Sequence, residues 1–128
     1  MAVVTRWVTH VELDDAAANG RQVSVSARLT AALSDGRALV LLGDRGWSVS
    51  SPVDIRTTTS AQDIEREART VVGPDEPFDG GTQEQAEAAH WNSLADILRR
   101  QGVEVGAHEL ERLPHDVVLG NRLRAWMA

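Results

Sequence analysis

The segment Gln22–Leu33 leaves a chain like this little choice. Val23, Val25, Ala27, Leu29, Ala31 and Leu33 alternate with Ser24, Ser26, Arg28 and Thr30. That two-residue period belongs to a strand with one buried and one wet face. Such a strand needs a sheet around it, and the turns that follow say how to build one. Asp35-Gly36 reads as a two-residue hairpin loop, because both central residues of that turn favour positive φ. It sets Leu33 opposite Ala38, Ala31 opposite Val40 and Leu29 opposite Leu42. Gly43-Asp44-Arg45-Gly46 reads as a second hairpin, with Leu42 opposite Trp47 and Val40 opposite Val49. Val3–Leu13 supplies the remaining strand, turning Val3, Trp7, Val11 and Leu13 inward and Arg6, His10 and Glu12 outward.

The expectation for residues 1–56 is therefore a four-stranded antiparallel β-meander with Trp7 and Trp47 in its core. In that register Leu39 and Leu41 point away from the core beside Ala32. Two leucines there make candidate interface residues, covered by a terminal segment or by a second copy of the chain.

Past Pro52 the period becomes helical. Ser60-Ala61-Gln62-Asp63 has the form of a capping box. Ala61, Ile64, Ala68, Val71 and Val72 fall on one helical face, and Gly73-Pro74 stops the helix. Thr82 is the expected N-cap of a longer helix reaching about Gln101, with Glu84 in its first turn and Arg99 and Arg100 in its last. Ala86, His90, Trp91, Leu94, Ile97 and Leu98 form its apolar stripe. Gly102 ends it. A turn or two of helix over Ala107–Leu113 stops at Pro114. A last helix is expected over Val117–Met127, with an extended Val117–Leu119 as the alternative. Strands first and helices afterwards make this an α+β fold. It is read as one domain of 128 residues, the helical part covering 60–128.

Composition removes several chemistries. The absence of cysteine rules out disulfides, thiolate nucleophiles and thiolate zinc sites. All 13 basic residues are arginine, so neither a Walker A lysine nor a Schiff base can form. Ten carboxylates stand against three arginines in residues 54–96, and no segment gathers the basic charge a nucleic acid requires. No apolar run approaches the roughly 20 residues of a membrane helix, and the N-terminus lacks the form of a secretory signal. A cytoplasmic location is the expectation.

Chemistry-bearing residues are sparse. His90, on the edge of the apolar stripe beside Trp91, is the candidate general base. With Trp91 and Trp47 as aromatic walls and Asp75 and Glu76 as charged groups, it outlines a small-ligand pocket. The segment Gly73–Thr82 that carries those carboxylates also reads as a plain connection, with glycines for the turn and Thr82 as cap. His10 belongs to the wet face of its strand. His108 lies three residues before Glu111, and His115-Asp116 is read as opening the last helix. No histidine pair has the spacing that puts two ligands on one helical face, so neither metal nor cofactor is expected. The residues read best as a non-catalytic protein-binding or self-associating module. Leu39 and Leu41 would be its contact, a homodimer or protein partner its complex, and Glu65, Glu67, Asp75, Glu76 and Asp79 a surface that steers a basic partner. The alternative is a ligand-binding protein or enzyme around His90.

Overall fold

The computed structural model describes residues 2–14, 19–74 and 81–127. Three strands come first, β1 (Val4–Leu13), β2 (Gln22–Leu33) and β3 (Ala38–Ser50). A single 3-10 turn at Ile55–Thr57 follows, then α1 (Ala61–Val71), α2 (Gln83–Arg100), α3 (Ala107–Glu111), β4 (His115–Leu119) and α4 (Asn121–Met127). The fold is α+β, with a four-stranded sheet ordered β3-β2-β1-β4.

The sheet is mixed and is not the antiparallel meander that the turns predict. β1 and β2 pair antiparallel, as do β2 and β3, while β4 lies parallel to β1 at the far edge. The residues read as two strands, 38–42 and 47–50, form one 13-residue strand with no reversal at Asp44-Arg45. The reason lies in β2. All of it from Gln22 to Ala32 needs hydrogen-bonding partners on that side, and a hairpin at Asp44 would have left its first half without them. Two register shifts opposite Ala27–Thr30 absorb the extra residues of β3. Gly46 is pressed against the Val25 carbonyl, where a Cβ has no room. The glycine serves a close approach of two strands instead of a turn.

The first hairpin also departs from its expected register. Leu33 N–H donates to the Arg37 carbonyl at 2.8 Å, and Gly36 takes φ 91°. The loop is therefore the three residues Ser34–Gly36, closed by a left-handed glycine. That shift of one residue pairs Ala31 with Leu39 and Thr30 with Val40, and it reverses the faces of β3 as far as the two register shifts, beyond which Trp47 and Val49 keep their expected inner side. Leu41 is 8 % exposed within the core and Leu39 packs against it, whereas Val40 stands out at 50 %. The outward pair Leu39 and Leu41 is corrected to an inward one. A bulge between Val4 and Arg6 does the same at the start of β1, burying Val4 in place of the expected Val3.

Two apolar clusters share the helix-covered face. One gathers Trp7, Leu29 and Leu41 with Leu94 and Leu98 of α2 and Leu110 of α3. The other gathers Val11, Val23 and Val25 with Ile64 and Ala68 of α1 and Leu123 of α4. Trp47 touches both, in agreement with its expected inward side. Trp7 fixes α3 as well, its indole N–H donating to the Leu110 carbonyl at 2.9 Å. Both expected helix starts are present as capping boxes, Ser60 with Asp63 and Thr82 with Gln85. Gly102, at φ 87°, ends α2.

The C-terminal segment takes the extended alternative at Val117–Leu119. His115–Leu119 pairs with Trp7–Val11, and the helix begins only after Gly120. Gly120 lies against the Glu12 carboxylate, which leaves no space for a side chain. None of the described helices is long and apolar enough to cross a membrane.

Candidate functional site

α2 and α3 meet in a groove of about 470 Å³ lined by Glu84, Glu87, Ala88, Trp91, Asn92, Ala107, His108 and Glu111. The small residues Ala88 and Ala107 are part of its lining. Trp91 is half-buried, packs on the cluster around Trp7 and lies 6.1 Å from the Trp7 ring. It thus has a fixed body and one face towards the groove. Three carboxylates line the groove with no arginine among them. The His108 imidazole comes within 4.0 Å of Glu111. An aromatic face ringed by carboxylates suits a cation, which the ring's quadrupole attracts and the carboxylates neutralise.

The predicted site residues divide. Trp91 lines the groove. His90 does not; its ring stands edge-on to Trp91 at 4.8 Å and 75°. Trp47 lies on β3 between the two clusters and is not one of the groove's walls. Asp75 and Glu76, with Asp79, lie outside the described residues. Leu39 and Leu41 are in or against the core. Sequence reasoning missed Glu84, Glu87 and Glu111. The signal was there, since Glu84, Glu87 and Trp91 recur at i, i+3 and i+7 on one helical stripe.

A second polar feature lies where β1 meets β4. His115 was read as opening a helix, but it heads β4 on the inner face beside Trp7. Its Nε2 is 2.6 Å from the Oγ1 of Thr9, a side chain with no exposure. The Arg69 guanidinium donates to the His115 carbonyl at 3.1 Å. Burial pushes the imidazole below its ordinary value, Arg69 adds to the effect and Asp116 opposes it. Thr9 is sealed from solvent, so the pair has the distance of a nucleophile and base without the access.

At the other end of β4, Glu12 reaches from β1 to the start of α4. Its carboxylate accepts from Leu123 N–H at 2.7 Å and Arg122 N–H at 3.3 Å, as well as from Leu13 N–H at 2.8 Å. Partial burial raises its proton affinity. The amides of Leu13, Leu123 and Arg122, with the Arg122 charge, outweigh that and hold Glu12 below the usual carboxylate range. No group of three or more metal-ligating side chains occurs among the described residues.

No family model matches the chain, and neither a curated protein nor a solved structure is significantly similar to it.

Proposed function

We propose that the chain is a non-catalytic protein-binding module that takes a cationic segment of a partner protein into the α2–α3 groove. The observation that carries this reading is Trp91 set as the wall of a groove whose charged groups are Glu84, Glu87 and Glu111. The net charge of −6 acts in the same direction, drawing a basic partner in before contact is made. An extended arginine-containing peptide fits best, since a guanidinium can lie flat on an indole while its fork reaches a carboxylate. The same chemistry extends to a free guanidinium compound, which a groove this open would hold by fewer contacts.

The test is calorimetric titration with an arginine-rich dodecapeptide, its acidic counterpart and free arginine amide. The basic peptide should bind and weaken as salt rises. Charge reversal of the groove, Glu84→Lys with Glu87→Lys, should weaken it by about tenfold or more. These residues are exposed or half-buried at the rim, so the fold survives the change. Equal affinity for the reversed protein, or no heat up to about 1 mM peptide, sinks the proposal. Arginine amide binding as tightly as the peptide would shift the reading from protein partner to small amine.

A further inference from the structure

The β4–α4 unit returns to the sheet about a hundred residues after the strand it pairs with, and a specific set of contacts keeps it there. Gly120 N–H donates to the Val11 carbonyl at 2.7 Å, and Leu123 is wholly buried. The Trp126 indole donates to the Asn19 carbonyl at 3.2 Å. Besides the exposed Arg6–Asp116 pair, two ties run through titratable side chains, one at each end of β4. His115 meets Thr9 at the start of the strand, and Glu12 caps α4 just beyond its end.

We propose that β4–α4 is an acid-released clasp: protonation of His115, and at lower pH of Glu12, undocks residues 115–127 from β1 while the β1-β2-β3 sheet stays paired. Charging His115 places a cation against half-buried surroundings with Arg69 of α1 beside it. Thr9 of β1 is neutral there. Asp116, on the same strand, gives partial compensation, because its carboxylate is already engaged by Arg6 of β1 at 3.0 Å. Protonating Glu12, which among the described residues Arg122 of α4 faces as a charge, leaves two helix-end N–H groups with a weakened acceptor.

The signs agree. His115 binds its proton less readily in the fold than in the free chain. Its contribution is therefore complete above the ordinary value of 6.5 and is lost as pH falls from there through the lowered folded value. Glu12 is also held low, so its contribution is complete above 4.5 and disappears on further acidification. The clasp should loosen in two steps, the histidine first. The freed state presents the β1 edge from Trp7 to Val11 without a neighbour, a template for another strand.

Hydrogen exchange read by mass spectrometry tests this on the intact chain, with protection factors corrected for intrinsic pH effects. Between about pH 7.5 and about pH 5.5 the amides of 116–124 should lose protection by about tenfold relative to those of Ala27–Leu33. His115→Asn should flatten that step, and Glu12→Gln should remove the one below it. His108→Asn, which changes an exposed histidine, should leave both steps in place. If the C-terminal amides keep pace with β2 at every pH, or if His115→Asn retains the step, the clasp is wrong. Should His115→Asn open the unit at all pH values, wild type decides by NMR. The imidazole titration and the loss of C-terminal protection must then share a midpoint, and separate midpoints overturn the proposal.

Discussion

The sheet has two edges, built in opposite ways. β3 is 13 residues long, joins β2 through a three-residue loop and runs beside it for its whole length. β4 is five residues long, follows every other strand and three helices in the chain, and runs parallel to β1. On β3, packing does most of the holding, with Leu41 inside the core and Leu39, Trp47 and Val49 resting on it. On β4 the alternate residues Val117 and Leu119 are only half-buried, and hydrogen bonds from His115, Arg69 and Glu12 supplement them. Edges of the first kind fail when their packing is spoiled, and edges of the second kind fail when their charges change.

The largest expected effect tests the β3 side of that contrast. Leu41→Glu would bury a carboxylate among Leu29, Leu94 and their neighbours without a partner, a cost of about 4 kcal/mol or more. Val40→Glu, one residue earlier on the open face, should change stability by less than about 0.5 kcal/mol. Urea unfolding followed by tryptophan fluorescence separates the two, since the urea midpoint falls far for one and barely for the other. The reverse order, with Val40→Glu the costly change, would mean that β3 faces the other way and would restore the outward leucines.

Where the alternation has one period and the partners are neighbours in sequence, the letters were enough. The inward set of β2, the Ser60 capping box, the Thr82 N-cap and the strands-then-helices order were all readable. The faces of β3 were lost to one residue of loop length. Asp-Gly permits a two-residue turn, but Ser34–Gly36 adopts a three-residue loop, and in a period of two that reverses the side chains from Ala38 to Leu41, until the two register shifts return Trp47 and Val49 to the inner side. Gly43-Asp44-Arg45-Gly46 misled for a related reason, since glycine marks bulges and turns alike. The length of β2 held the answer, because five residues of β3 could not partner all of it. β4 was out of reach for another reason. Its parallel partner lies over a hundred residues away, and Val117-Val118-Leu119 carries no local sign of which state wins. In the groove, Trp91 and the His108–Glu111 spacing were visible, but only the packing of α2 on α3 brings them together.

On the β4 side, Leu123→Ala should cost about 2–4 kcal/mol, since Leu123 is fully buried and its neighbours Val11 and Ile64 belong to the sheet and α1, which restrict collapse into the space. The contrast lies in where the loss appears. If β4–α4 undocks before the rest, hydrogen exchange of 116–124 in this variant should reach its limit while Ala27–Leu33 stays protected. A uniform loss across all four strands would show that both edges belong to one cooperative unit and would weaken the division drawn above.

The smallest expected effect separates the polar ties from one another. Arg6 and Asp116 bridge β1 and β4 at 3.0 Å, the shortest ion pair between these two strands, yet their side chains are 55 % and 52 % exposed. Water screens such a pair, and ordering an arginine side chain costs entropy, so Arg6→Ala should change stability by no more than about 0.5 kcal/mol. Glu12 spans the same two regions, but its partners are backbone amides at a helix start, which have no other acceptor in the helix. Glu12→Gln should therefore cost about 1 kcal/mol near neutral pH and progressively less below 4.5, where the wild-type carboxylate protonates as well. Thermal unfolding of the two variants over a pH series measures both. If Arg6→Ala matched Glu12→Gln, exposed charge would be holding β4 as firmly as helix capping, and the clasp would respond to salt as much as to acid.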